Sequence, residues 1–253
     1  MPHKINWHKQ ISSIPRIQQA GLLDWEVMPT GSSNQNFKIS TQQGLWILRL
    51  NQSTLGINRQ QEQCILELIE PLSIMPKVIS NQPSDTPSIP AHLITEFIPQ
   101  ATWQSNDFKK PESLQKLCQK LKQFHDIPYQ YLPSRLDNRL RTYLKHIQGV
   151  PKQLQSTLLN AITDLEKHGF WQTNTTLYHS DLNPSNLVGH EPLHIIDWEY
   201  AGQGHPLLDW LILEHYAATD LSQHHPKDLH EEWLKPAKTM IDAMMKLWSF
   251  HRA

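Results

Sequence analysis

Residues 179–197 read HSDLNPSNLVGHEPLHIID, and no other stretch constrains the architecture as tightly. Asp181 and Asn186 stand in the order H-x-D-x-x-x-x-N, followed by an apolar run that ends in Asp197. Leu187-Val188 and Leu193-His194-Ile195-Ile196 read as two short strands joined at GHEP. One turn, restrained by Pro184, and one hairpin then suffice to bring three polar side chains together. Strands this short cannot stand alone, so the rest of the chain has to supply the body that holds them.

That body divides by pattern. Residues 5–20 suit a short amphipathic helix whose continuity is interrupted at Pro15. Trp25–Met28, Gln35–Ser40 and Leu45–Leu50 follow as strands separated by the TGSSN and TQQG turn signals, which predicts a small antiparallel sheet. NRQQEQCILELIEPL sets Cys64, Leu68 and Leu72 at helical spacing. Pro76–Ile79 and His92–Phe97 add strands on either side of a Pro- and Ser-rich surface loop. Near residues 95–105 the pattern turns mainly helical, with helices expected at 111–126, 136–148, 153–168, after Pro206 and at 237–250. The expected class is α+β in two lobes, an antiparallel-sheet lobe at 1–97 and a mainly helical lobe at 98–253.

With 253 residues the chain buries a sizeable core without crosslinks. A formal charge of −1 gives no support to a general nucleic-acid surface. No segment approaches 18 consecutive apolar residues, and the start MPHKINWHKQ lacks the apolar core of a secretion signal, so no membrane partner is expected and the cytoplasm is the default location. Nothing specifies an oligomer; a monomer is the default. Cys64 and Cys118 match no zinc or CxxC spacing and read as reduced core residues. His224, His225 and His230 combine with no cysteine pair into a zinc site.

Taken singly, Asp181 fits an Asx turn, Asn186 a strand-end cap and Asp197 a surface turn. Their combined order points to phosphoryl transfer. A carboxylate such as Asp181 orients an attacking hydroxyl and receives its proton, while an amide oxygen at Asn186 and a carboxylate at Asp197 suit the hard Mg²⁺ ions that bridge nucleotide phosphates. His179 reads as a structural hydrogen-bonding residue, because Asp181 already supplies the base.

Through HSDLNPSN and IIDWEYAG, and more weakly through TGSSNQNFKI and WILRL, the sequence resembles the aminoglycoside phosphotransferase and choline kinase family over most of residues 22–250. The resemblance implies a protein-kinase-like fold and ATP and Mg²⁺ as cofactors. It makes Asp181 the catalytic base, Asn186 a residue that helps bind metal, and Asp197 a Mg²⁺ ligand. In the amino-terminal lobe, the turn holding Ser32, Ser33 and Asn34 is expected to offer N–H groups and hydroxyls to phosphate oxygens, although its single Gly31 matches no multi-glycine loop and a plain turn remains open. Arg49 would carry the positive charge for the phosphates where many kinases use Lys, and Glu62 would orient it; the plainer readings are an exposed strand charge and a solvated helix charge. An adenine slot is expected where the lobes join, read by backbone groups of Glu96 to Ile98.

The acceptor is a separate question. The EYAG continuation resembles bacterial thiamine kinases and choline kinases more than antibiotic-modifying members, which makes a cationic alcohol the expected substrate and thiamine the first choice. Choline or ethanolamine follows, then an aminosugar or aminoglycoside; a noncatalytic kinase-like binding module is the reading from another class. Trp198, Tyr200, Trp210, Tyr216, Trp233 and Trp248 are candidates for a cation-binding wall, with core packing as their ordinary role. Glu199 adds negative potential or stabilises its loop. Asp209, in GHPLLDW, is expected to support the catalytic loop from a helix start.

Overall fold

A computed structural model describes residues 6–28, 34–52, 55–130, 135–173 and 176–251, and the chain divides into two compact units, 1–99 and 100–253. In the first unit, α1 (Trp7–Ser12) and α2 (Pro15–Ala20) share the stretch where one interrupted helix is expected. Pro15 cannot donate to a preceding turn, so it ends one helix and occupies the first turn of the next. Five antiparallel strands follow in the spatial order β1-β2-β3-β5-β4: β1 (Leu22–Val27), β2 (Asn34–Thr41), β3 (Gly44–Asn51), β4 (Val78–Gln82) and β5 (His92–Glu96).

Alternation along the strands decides what each face meets. Phe37, Ile39, Trp46, Leu48, Leu50 and Ile94 pack on Ile11, Ile14, Ile17 and Ala20 of the two short helices. Arg49, one step out of that phase, is buried toward the helix α3 (Arg59–Ile69). The buried face of α3 is Glu62, Ile65, Leu66 and Ile69, while Cys64 is exposed and Leu68 is 41% exposed. The expected stripe of Cys64, Leu68 and Leu72 is thus displaced around the helix, and Cys64 is not a core residue. The cause is electrostatic: the face turned inward includes Glu62, which an apolar periodicity cannot see.

The second unit contains α4 (Pro111–His125), α5 (Leu136–His146), α6 (Lys152–Lys167), α7 (Leu207–Ala217) and α8 (Glu231–His251). It also holds two small antiparallel pairs, β6 (Thr176–Tyr178) with β9 (Gly202–Gly204), and β7 (Leu187–Val188) with β8 (His194–Ile195). Helix α8 starts before the expected residue 237 and runs through Pro236. Trp233, Ala237, Met240, Met244 and Leu247 form one buried stripe across that proline, and their packing offsets the lost hydrogen bond. The β6–β9 pair is not foreshadowed by any strand-like run at Gly202-Gln203-Gly204. Gly204 pairs with Thr176, and a Cβ on it would lie 2.8 Å from the ring of Tyr178, its diagonal neighbour, so it is the buried tyrosine ring that requires glycine there. Among the described residues no helix is long and apolar enough to cross a membrane.

Candidate active site

The chain leaves β6 at Tyr178, turns through 179–186, runs out and back along β7 and β8, passes Asp197 and returns to pair as β9 beside β6. This closed path returns residues 197–201 to the neighbourhood of residues 178–181. Asn183 starts the turn, its Oδ1 accepting the N–H of Ser185 at 3.0 Å, with Pro184 pre-set in the next position. The Asn186 Nδ2 then donates to the Asp181 backbone oxygen at 2.8 Å and to Oδ2 of its carboxylate at 3.0 Å. The Ile196 N–H donates to the Asn186 carbonyl at 2.9 Å, so the β7–β8 ladder ends with Asn186 next to the residue that precedes Asp197.

Buried groups hold this path in shape. His179 is fully buried; its Nε2–H donates to the Ile196 carbonyl at 3.0 Å and its Nδ1 accepts the Asp181 N–H at 3.2 Å. Burial pushes its pKa down to about 4, so the ring is neutral at physiological pH and serves as a strut, as its sequence context suggests. Asp209, in the first turn of the apolar helix α7, is fully buried too. Its carboxylate accepts the N–H groups of His179 and Ser180, both at 2.8 Å, and lies 2.9 Å from His125 Nε2. Ser180 and Asp197 both have left-handed backbones, at φ 69 and 66, a conformation that costs about 1–2 kcal/mol in an L-residue and persists only where the surroundings over-determine it.

Asp181 is half-buried, and desolvation pushes its carboxyl up to about 6 despite the amides of Asn183 and Asn186. The charge of Glu199, itself buried, raises it further, and Arg139 lowers it. Neither Arg139 nor Asn183 is foreseen from the motif. Arg139 carries a signal nonetheless: in α5 it shares the buried stripe with Leu136, Leu140 and Tyr143, and a charge on an apolar face needs a partner.

The oxygens of Asn186 and Asp197 are hard donors that suit Mg²⁺, which keeps water and phosphate ligands and needs few protein groups. Among the described residues no cluster of three His, Cys, Asp or Glu offers a complete metal cage. Both carboxylate oxygens of Asp181 accept amide donors, from Asn183 and Asn186.

In the first unit Arg49 Nη2 meets Glu62 Oε1 at 2.6 Å, and both are buried. Arg59, absent from the expected set, meets the other Glu62 oxygen at 2.9 Å and donates to Asn34 Oδ1 at 2.7 Å. One carboxylate thus lies between two guanidiniums beside the start of β2. Ser32 and Ser33 lie outside the described residues. The Glu96 carboxylate accepts the Lys77 N–H at 3.1 Å, while the N–H groups of Glu96 and Phe97 donate to Lys77 and Leu45 at 3.0 Å each. Those two donors are committed to the sheet; among the described residues the Ile98 N–H has no backbone partner.

The six candidate aromatics separate. Trp198 packs on Phe124 and His179, Trp210 stacks on His224, and Trp233 packs on Phe170 and His205, all three buried. Tyr216 is exposed beside His215. Tyr200 and Trp248 are partly buried and meet at 5.7 Å between ring centroids, with Tyr143 at 5.1 Å from Trp248. Burial, together with the Glu199 charge, pushes the Tyr143 hydroxyl up to about 12 and raises that of Tyr200 as well.

A sequence model described as the phosphotransferase enzyme family matches residues 24–234. The fold is similar to that of choline kinase LicA from Streptococcus pneumoniae at 22% identity and a TM-score of 0.75, over 97% of this chain and 89% of that one. A choline/ethanolamine kinase family protein from Mesorhizobium loti matches at 19% identity and a TM-score of 0.68, over 96% and 84% of the two chains. A thermostable mutant of aminoglycoside phosphotransferase APH(4)-Ia matches at 15% and 0.66, over 91% and 88%. The protein-kinase-like fold that the family resemblance implied is therefore the one found. No curated protein sequence matches.

Proposed function

The chain belongs to the phosphotransferase enzyme family and is an ATP-dependent enzyme acting on a small-molecule hydroxyl group, and from that premise we propose that it phosphorylates a cationic alcohol with Asp181 as base. The observation that carries the reading is the Asp181–Asn186 pair, in which two amides orient a carboxylate whose pKa, about 6, lies near the working pH of a general base. Asp181 aligns the acceptor hydroxyl and takes its proton. Asn186 and Asp197 are the residues to hold Mg²⁺, which when bound neutralises charge on the transferring phosphoryl group. In the 1–99 unit, Arg49, oriented by Glu62, meets nucleotide phosphates, the segment of Asn34 borders them, with Ser32 and Ser33 outside the described residues, and the backbone at Glu96 to Ile98 reads the base, the Ile98 N–H having no backbone partner among the described residues.

The cationic acceptor is supported by Tyr200, which follows the buried acid Glu199 in the chain, and by Trp248, whose ring meets that of Tyr200. One face of Tyr200 already carries Arg139, at 5.1 Å, so an acceptor cation has Trp248 and the Glu199 charge as its attraction. Thiamine stays the first candidate on the EYAG segment; choline is the direct competitor, favoured by the likeness to choline kinase LicA. Matched reactions with Mg·ATP and thiamine, choline, ethanolamine or an aminoglycoside, read by mass detection of the phosphorylated product, test the assignment. Thiamine or choline phosphate is the expected product, and transfer to the aminoglycoside alone would overturn thiamine and choline as the acceptors. Asp181→Asn should reduce transfer about 10²–10⁴-fold with nucleotide affinity retained, whereas Asp197→Ala should weaken Mg·ATP binding too; near-native activity in both would remove the site.

A further inference from the structure

Arg139 is 7% exposed and projects from α5 into the gap between the two segments that carry the acidic side chains. Its Nη1 donates to the Tyr200 carbonyl at 2.6 Å, its Nη2 donates to the Ser180 Oγ, and its guanidinium carbon lies 5.1 Å from the centre of the Tyr200 ring. Ser180 directly precedes Asp181. Tyr200 closes the short helical turn that begins after Asp197. The arginine therefore touches both sides of the site while contacting neither Asp181 nor Asp197 by a hydrogen bond.

Resting on the phosphotransferase reading above, we propose that Arg139 is a positioning residue that fixes the distance between Asp181 and Asp197 by clamping Ser180 and Tyr200 to one rigid guanidinium. The physical reason lies in the two backbones. Ser180 and Asp197 both occupy the left-handed region, where a relaxed segment would turn over to a commoner conformation and carry its acid away. Asp209 holds the Ser180 N–H and His179 ties Asp181 to Ile196, but the Ser180 side chain and the Tyr200 carbonyl are secured by Arg139. A planar fork with two fixed donors sets a separation that a lysine ammonium, a single rotatable point charge, cannot reproduce. Misplacing a base and a metal-binding group by about 1 Å is enough to cost on the order of 10²-fold in rate.

The test is steady-state kinetics with Mg·ATP and the acceptor phosphorylated by the wild-type chain, on Arg139→Lys, Arg139→Met, Ser180→Ala and the Arg139→Met/Ser180→Ala double variant, each with its melting temperature. Arg139→Lys and Arg139→Met are expected to lose about 10–100-fold in kcat while KM for Mg·ATP stays within about threefold. Ser180→Ala removes one arm of the clamp without emptying the core and should lose less, and adding it to Arg139→Met should cost little more than Arg139→Met alone. Full kcat in Arg139→Lys would show that charge alone suffices and would overturn the clamp. Fully additive losses in the double variant, or lower melting temperatures with unchanged kcat per folded molecule, would overturn it as well. An inactive wild-type chain would instead overturn the phosphotransferase reading on which it rests.

Discussion

Replacing Asp181 by Asn should stabilise the metal-free protein, and the size of the effect follows from the site. Desolvation raises the carboxyl from 3.8 to about 6, which corresponds to about 3 kcal/mol of penalty on the ionised form. The asparagine escapes that penalty but presents an amide where two donors converge: the Nδ2 groups of Asn183, at 3.3 Å, and Asn186, at 3.0 Å. One of the two loses its acceptor, a cost of about 1 kcal/mol. Partial exposure of Asp181 reduces the first figure, so the net gain at pH 8 is about 1–2 kcal/mol. The sign follows from linkage. The folded pKa lies above the unfolded one, so the folded state binds the proton more tightly, and wild-type stability falls as the pH rises from about 4 through 6. The variant lacks this slope. Urea unfolding in EDTA at pH 4.5 and pH 8 measures the difference directly: the two proteins should be close at the lower pH and separate at the higher, with the variant more stable. A variant that is less stable than wild type by the same amount at both pH values would refute the reasoning.

Asp209→Ala removes the acceptor of two buried N–H groups and of His125, and should lower stability by about 3–5 kcal/mol in thermal or urea unfolding; a melting temperature within a degree or two of wild type would contradict its supporting role. Gly204→Ala sets a methyl 2.8 Å from the buried Tyr178 ring and should cost about 1–3 kcal/mol, relieved in part by Tyr178→Val, so a double-mutant cycle with no coupling would argue against the contact. Trp248→Ala should raise KM for a cationic acceptor about tenfold while leaving KM for Mg·ATP unchanged, and an unchanged acceptor KM would remove this residue from the substrate wall.

Asp181, Asn186 and Asp197 were legible in the sequence because the geometry joining them is local: a turn, a two-stranded ladder and a left-handed residue, all within one short segment. Arg49 and Glu62 were legible as a strand followed by a helix. Arg139 was not, since it stands 41 residues before the Ser180 it holds, and no spacing rule connects α5 to that loop. Arg59 was hidden in the first turn of α3, where its charge looks like ordinary solvated surface until Asn34 and Glu62 are seen around it. The aromatics were ambiguous for a different reason. Helical spacing marks a stripe without saying whether the stripe meets protein or solvent, so Trp210 and Trp248 read alike although only the first is fully packed into the core. Strand β9 escaped because its Gly204 answers to the Tyr178 ring, a demand that appears only once the pairing is known.

The contacts of Asp209 and Arg139 share one property that explains both their burial and their distance in sequence. The segment bearing Asp181 is locally unfavourable: it combines a carboxylate with a raised pKa, a serine in the left-handed region and the nearby negative charge of Glu199. Short-range interactions would relax all three. What prevents this must come from elements whose own stability does not depend on the loop, and Asp209 and Arg139 meet that condition. The first is on the largely apolar, mostly buried helix α7; the second is anchored among Leu136, Leu140 and Tyr143 on α5. Strain at the acids and rigidity in the helices are therefore two sides of one arrangement. The residues that maintain it are found on scaffold helices at a distance in sequence, where no local motif marks them.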